Sequence, residues 1–446
     1  MKAATFARDT GLTLAARVLG LALALLASVV IARALGPEGT GVYTLATLFP
    51  VLVLVFTNLG VGPATVYYVA QDKYPLPEVL GTNVILTIIV GAAASVIGLV
   101  VAVFLHDHLF PTVALSYLLL ALLLIPVNLF SQHYANQILL GARRIKEFNA
   151  ATVLNRLVLL ILVILLAVTV GLGIGGAIVA TFVSSLVVSF VLYPWVRRIA
   201  GGVRFRLSPR YVRDLISYGL KAHLGNIVGF LNYRVEVFML GAFLPAGAVG
   251  FYSVAVLLAE KLWFLSESAS IVLFPTVSAE RDEHAKKTFT PLVSRNVLLI
   301  TAIGAVALLL LSQWVVVLLY SSQYAPAVHL FRILLPGIVF LSAGRILAND
   351  IAGRGRPLLN SYVGGLGIAI QILLNLFWIP RFGTMGAAWA TTISYGLTSA
   401  LWLWLYTRLS GNSLTTVIVP QTSDWLLYRQ LARLAWSKLR GQMGHC

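Results

Sequence analysis

From Leu12 to Thr407 the chain is a succession of long apolar stretches separated by short breaks rich in Gly, Pro and Arg. Hydrophobicity runs continuously through each stretch instead of alternating residue by residue, which excludes the strands of a membrane β-barrel. A crossing of the hydrocarbon layer needs roughly 20 apolar residues at about 1.5 Å each, and a helix satisfies its own backbone in lipid. The pattern therefore predicts an all-α polytopic membrane protein with about 12 transmembrane helices, near 12–35, 42–69, 81–105, 113–138, 149–171, 174–195, 214–241, 249–276, 294–320, 327–350, 358–379 and 386–407.

Several breaks occur twice. Pro37-Glu38-Gly39-Thr40-Gly41-Val42-Tyr43 returns, with one residue inserted, as Pro245-Ala246-Gly247-Ala248-Val249-Gly250-Phe251-Tyr252. Gly173-x-x-Gly176-Ala177-x-x-Ala180-Thr181 returns as Gly383-x-x-Gly386-Ala387-x-x-Ala390-Thr391, and Gly141 to Asn149 has a shorter echo in Gly353 to Asn360. The order is kept at offsets of 208 to 211 residues, the mark of a duplicated membrane unit. Six crossings per half return the chain to its starting side, so two six-helix lobes are expected, 1–196 and 214–407, related by a pseudo-two-fold axis along the membrane normal. Residues 197–213 form the basic linker and 408–446 a tail. Within that tail Trp425 to Arg440 is amphipathic at helical spacing, which predicts a helix lying on the membrane surface.

Composition agrees with this pattern. Hydrophobic residues make up 59% of the 446 and charged residues 11%, with a mean hydropathy of +0.92. On the helix map 23 of the 32 Lys and Arg lie on one side and two, Arg33 and Arg381, on the other; this places both termini in the cytosol of a cell in whose cytoplasmic membrane the protein resides. The net charge of +17 is then a topological signal and an attraction to anionic membrane lipids, with no need for nucleic acid as a partner. The lone cysteine, Cys446, excludes a disulfide framework or thiolate metal site, and His106 and His108 read as solvated loop residues rather than metal ligands. No phosphate-cradling Gly-x-x-x-x-Gly-Lys is present, so direct use of ATP is not expected.

Charges inside the apolar stretches carry the chemistry, because each costs about 2.5–3.5 kcal/mol at the bilayer centre unless it faces protein or water. There are seven. Arg332 is close enough to a helix end to snorkel. Arg17, Arg156, Lys221 and Arg345 lie at similar depth on four different helices, as the wall of a basic vestibule would. The seventh helix is the most polar, with Lys221, His223, Asn226, Asn232, Arg234 and Glu236, and the eighth carries Glu260, Lys261 and Glu267. Two readings stand side by side: structural pairing between these helices, such as Arg234 with Glu260, or a central site. In the second, Arg17, Arg156, Lys221, Arg234, Arg345 and Asn226 hold the cargo, and Glu236, Glu260, Lys261, Glu267 and His223 couple a proton or a sodium ion. No other cofactor is expected.

The stretch Ala32-Arg33-Ala34-Leu35-Gly36-Pro37-Glu38-Gly39-Thr40-Gly41-Val42-Tyr43 resembles the opening signature of the Wzx-like polysaccharide flippases, a family of the multidrug/oligosaccharidyl-lipid/polysaccharide superfamily. Tyr233-Arg234-Val235-Glu236-Val237-Phe238-Met239-Leu240-Gly241 is similar to the start of that family's second lobe. The resemblance implies two six-helix lobes around a central cavity and export of a polyprenyl-diphosphate-linked oligosaccharide by alternating access, with glycan polymerases or glycosyltransferases as partners. Arg and Lys suit a diphosphate in a partly desolvated cavity. The multidrug exporters of the superfamily commonly rely on an acid in the first helix; here that helix has Arg17, which favours an anionic cargo. An ion-coupled multidrug or small-metabolite exporter on the same fold is the alternative. A membrane glycan polymerase or ligase is a third, weakened by the shortness of the outer loops.

Overall fold

A computed structural model of the chain describes residues 3–422 apart from position 281, together with Asp424 and Arg429, with side-chain surroundings from Thr13 onward except at positions 222, 272, 275 and 279. The expected surface helix from Trp425 to Arg440 lies outside the described residues, Arg429 apart. Among the described residues the structure is helical, without strands. In chain order the helices are α1 Ala3–Thr57, α2 Val61–Ala70, α3 Leu76–Phe104, α4 His106–Leu109, α5 Leu115–Leu122, α6 Leu124–Asn128, α7 Asn136–Gly141, α8 Ile145–Leu162 and α9 Gly173–Ile199. There follow α10 Pro209–Phe243, α11 Ala246–Ala259, α12 Trp263–Ala279, α13 Glu283–Tyr320, α14 Ala325–Gly353, α15 Pro357–Ser410 and α16 Leu414–Ile418. π-Helical turns join α6 to α7 (Leu129–Ala135) and extend α8 (Val163–Thr169), and a 3₁₀ turn, Glu260–Leu262, separates α11 from α12.

Nine segments among the described residues are long and apolar enough to cross a membrane, so this is a multi-pass membrane protein. Two of them are far longer than one crossing needs: Thr13–Thr57 has 45 residues and Pro357–Ser410 has 54. Each is broken where the sequence expects a loop, at Gly36 (φ 67°, ψ −179°) and at Gly383 (φ 59°, ψ −139°). Glycine tolerates that left-handed φ, so the chain turns there without an intervening polar loop. Beyond Gly383, α15 packs on itself: a Cβ on Gly367 would lie 2.5 Å from the Thr398 hydroxyl, Ser394 donates to the Gly367 carbonyl (2.9 Å), and Gln371 donates to Thr391 (3.3 Å). α10, at 35 residues, is too polar to qualify on hydropathy alone. The expected second crossing, 42–69, is interrupted at Asn58–Gly60, where Gly60 has φ 70° and its amide is accepted by the Asn58 side chain (2.8 Å).

The chain divides into two compact units, Met1–Val254 with Val316–Ala327 and Asn375–Thr384, and Ala255–Val315 with Val328–Leu374 and Met385–Cys446. The first is centred on Ile31, Leu159, Val163, Ala167, Ala177 and Ala180, and the second has a smaller cluster at Leu273, Val277, Val297 and Ile346.

The sequence repeat recurs as geometry. In the first unit, a Cβ on Gly41 would fall 1.8 Å from the Ala246 carbonyl oxygen, and one on Gly250 would fall 1.9 Å from the Pro37 carbonyl oxygen. Gly41 and Gly250 are counterparts 209 residues apart, and each rests on the carbonyl four residues before the other, so the two copies of the motif grip each other reciprocally. In each unit separately, the glycine ending a helix rests on a valine. Gly141 meets Val69 (2.8 Å to a built Cβ), and its counterpart Gly353 meets Val277 (3.1 Å).

Candidate substrate-binding site

α10 contributes the largest share of the predicted polar residues. It starts at Pro209 behind Ser208, whose hydroxyl accepts from the Tyr211 amide (3.4 Å), a serine cap followed by proline at the first helical position. Lys221 and Asn226 are exposed on this helix, Arg234 is half-buried with a bond from its guanidinium to the Tyr233 carbonyl (2.7 Å), and Glu236 is fully buried. His223 is buried, its Nε2 donating to the Phe56 carbonyl at 3.3 Å. That contact ties α10 to the end of α1. A second lies alongside it, where Gly60 and Gly219 meet so closely that a Cβ on Gly60 would lie 2.1 Å from the Gly219 carbonyl oxygen.

Arg17 is exposed on α1, among the exposed Leu14, Val18 and Leu19. Arg156 is exposed on α8, near enough to Tyr43 to act on it electrostatically; Tyr43 itself shares a hydrogen bond with Thr181 (2.9 Å). α1 and α8 are joined by Asn149 donating to Thr13 (3.0 Å), which sets Arg17 one turn and Arg156 two turns beyond that bond. In the second unit the structure brings Arg345 and Glu267 together. The guanidinium of Arg345 lies 3.4 Å from the Glu267 carboxylate and 4.9 Å from the centre of the Trp263 ring, within cation–π reach. Glu260 and Lys261 occupy the 3₁₀ turn, half-buried. A 3₁₀ turn within a long helix often marks a hinge. Arg332, the residue expected to snorkel, is half-buried and donates to the Ser312 hydroxyl (2.7 Å).

Three groupings went unnoticed in the sequence. Around Asp214, Lys73 forms an ion pair (2.6 Å), Tyr74 donates to the same carboxylate (2.6 Å), and Tyr67 stacks on Tyr218 at 4.3 Å. Asp214 holds the Lys73 ammonium above its ordinary pKa. The spacing of seven between Tyr67 and Tyr74 and between Tyr211 and Tyr218 was the available signal. In the second unit, buried Asp350 accepts from Thr290 and Arg354, and Arg354 also pairs with Glu283 (2.7 Å). Arg295, 5% exposed, is bidentate on Asp424, 1% exposed, with Nε to Oδ2 at 2.6 Å. His106, expected in a loop, opens the short helix α4 and is held by Asp107 (2.8 Å) and the Val113 carbonyl (2.7 Å); the Asp107 bond raises its pKa.

Known proteins resemble this chain along most of its length. It is 23% identical to the probable low-salt glycan biosynthesis flippase Agl15 of Haloferax volcanii over 86% of this chain and 80% of that protein. Against a putative O-antigen transporter of Shigella flexneri identity is 22% over 85% and 92% of the two chains. A shorter match, 26% identical, spans 45% of this chain and less than half, 41%, of the membrane protein MJ1068 of Methanocaldococcus jannaschii. Among solved structures, lipid II flippase MurJ in an inward closed conformation superposes with a TM-score of 0.76 over 94% of this chain and 95% of that one, at 15% identity. An inward-facing multidrug resistance MATE family transporter of the MOP superfamily gives 0.72 over 88% and 95%, at 17% identity. At such identities these structures speak to the fold alone, which this chain shares with them. The family model for polysaccharide biosynthesis proteins matches residues 6–281, more than half of the sequence, and the chain belongs to that family.

Proposed function

We propose that this protein is a flippase that carries a polyprenyl-diphosphate-linked oligosaccharide across the cytoplasmic membrane by alternating access. The observation that carries the reading is the near full-length likeness to a probable glycan biosynthesis flippase and a putative O-antigen transporter. Twelve crossings follow if Gly36 and Gly383 each divide a long helix in two and α10 counts as a span despite its polarity. They make two six-helix lobes, 1–196 and 214–407, with both termini in the cytosol, and the reciprocal Gly41–Gly250 grip lies where the two copies meet.

The cargo's diphosphate is met by Arg17, Arg156, Lys221, Arg234 and Arg345 with Asn226. Guanidinium groups bind such oxygens in pairs, and a cavity that excludes water strengthens the bond. The polyprenyl tail stays in lipid. Glu236, Glu260, Lys261, Glu267 and His223 are the groups through which a proton or sodium ion couples to the cycle. The Arg345–Glu267 ion pair supports this division of labour, because a diphosphate arriving at Arg345 competes with Glu267 for the same guanidinium. Glycan polymerases or glycosyltransferases act before and after it.

The test is a double substitution, Arg17→Ala with Arg234→Ala, in cells that depend on this gene for surface polysaccharide. The variant should insert at normal level and leave surface polysaccharide absent. Normal polysaccharide from the inserted variant contradicts the basic-cavity reading.

A further inference from the structure

After its last long helix each half of the chain ends in a strap that turns back over the start of a long helix of the same half. The first strap begins at Gly201 (φ 72°) and the second at Gly411 (φ 73°), 210 residues later. The first is fastened to α3: the Arg204 amide donates to the Pro77 carbonyl (2.9 Å), and Thr82 donates to the Arg206 carbonyl (3.1 Å) and accepts from the Ser208 amide (3.2 Å). The second is fastened to α13: Asn412 donates to the Lys287 carbonyl (3.0 Å) and Arg295 to the Thr416 carbonyl (3.2 Å). Each ends on an aspartate paired with a cation, Asp214 with Lys73 and Asp424 with Arg295, again 210 residues apart.

Both straps are therefore fastened to the long helix beneath them, by different bonds, and four arginines of the first have no basic counterpart in the second. At the 210 offset, Arg197, Arg204, Arg206 and Arg210 correspond to Thr407, Leu414, Thr416 and Pro420. The second strap holds its place with none of the four. All four are exposed, as are Phe205 (63%) and Leu207 (40%) between them. Arg197 also lines an open hollow of about 310 Å³ with Pro194, Arg198, Gly201 and Gly202. Cationic side chains interleaved with exposed apolar ones, on a backbone already fixed, match a surface of phosphate heads over hydrocarbon.

We infer that the first strap, residues 201–208, together with Arg197 and Arg210 on the helices at its two ends, is a binding site for the phosphate headgroups of anionic phospholipids. The site is separate from the proposed transport path and stands whatever the cargo. It is tested on the purified full-length protein, with phosphatidylglycerol and phosphatidylcholine as probes and retained lipid counted by native mass spectrometry. Each basic residue at a membrane surface is worth about a fivefold change in affinity. The triple variant R204Q/R206Q/R210Q should lose phosphatidylglycerol by far more than tenfold while phosphatidylcholine is unchanged, and R204K/R206K/R210K should retain most of it. If the glutamine triple does not fold, the single R206Q decides, with about fivefold weaker retention expected. Unchanged retention in the glutamine variant overturns the inference. So does loss of bound phosphatidylglycerol to an equal amount of a polyprenyl diphosphate that phosphatidylglycerol cannot displace in turn, which would assign the arginines to the cargo.

Discussion

The two straps use arginine in opposite ways. Beneath the second, Arg295 of α13 is almost fully buried and bonds both oxygens of Asp424, while the strap's own residues around Leu414 to Thr416 carry no charge. In the first, the equivalent anchor is the part-exposed Lys73–Asp214 pair, and Arg204, Arg206 and Arg210 point outward. Both copies thus place a strap over the start of a long helix, but they fasten it with different bonds and carry their cations at different positions. Buried and exposed ion pairs differ in what they do for stability: removing one partner of a buried pair strands a charge, whereas an exposed pair contributes little.

The largest expected effect follows from that difference. Arg295→Ala leaves the Asp424 carboxylate with the Gln421 amide but no cation, and takes the Arg295 donor from the Thr416 carbonyl; it should cost about 3–5 kcal/mol, read as a lowered midpoint of thermal unfolding in detergent. Lys73→Met should leave that midpoint nearly unchanged; equal losses from the two would erase the contrast. Thr82→Val should come next, at about 1–3 kcal/mol, because the buried Thr82 hydroxyl serves both the Arg206 carbonyl and the Ser208 amide.

A pH series sharpens the same comparison. The Arg295 guanidinium holds the Asp424 carboxyl below the ordinary carboxylate range. A depressed carboxylate contributes stability that is complete above its unfolded value of about 3.9 and is lost as pH falls through the lower folded value. Between about pH 5 and pH 3 the wild-type midpoint should therefore drop more than that of Asp424→Asn. The smallest effect is expected at the outward arginines: Arg206→Gln alone should change stability by no more than about 0.5 kcal/mol. A large loss there would mean the first strap needs its arginines for folding.

Much of the fold was legible because lipid imposes a single rule on every crossing, and long apolar runs satisfy it in sequence as in space. The duplication was legible for a different reason: close backbone approach admits only glycine, so Gly41 and Gly250 stand out in both copies. The breaks at Gly36 and Gly383 were legible too, as boundaries between crossings, although the chain turns there on one glycine. What stayed hidden is pairs such as Arg295 with Asp424: 129 positions apart they leave no local spacing, and both residues read as ordinary cytosolic charges. Of the candidate site, the polar character of α10 could be read directly, whereas the meeting of Arg345 with Glu267 and Trp263 depends on helices brought side by side.

The central claim, translocation of a diphosphate-linked glycan, is tested most directly by reconstitution. The purified protein is placed in vesicles holding a fluorescent polyprenyl-diphosphate oligosaccharide on both leaflets, and the fraction exposed to an external, membrane-impermeant quencher is followed in time. The wild type should bring the inner-leaflet pool into reach, and R17A/R234A inserted at the same density should leave it protected. Equal protection with the wild type, the variant and empty vesicles would contradict the claim.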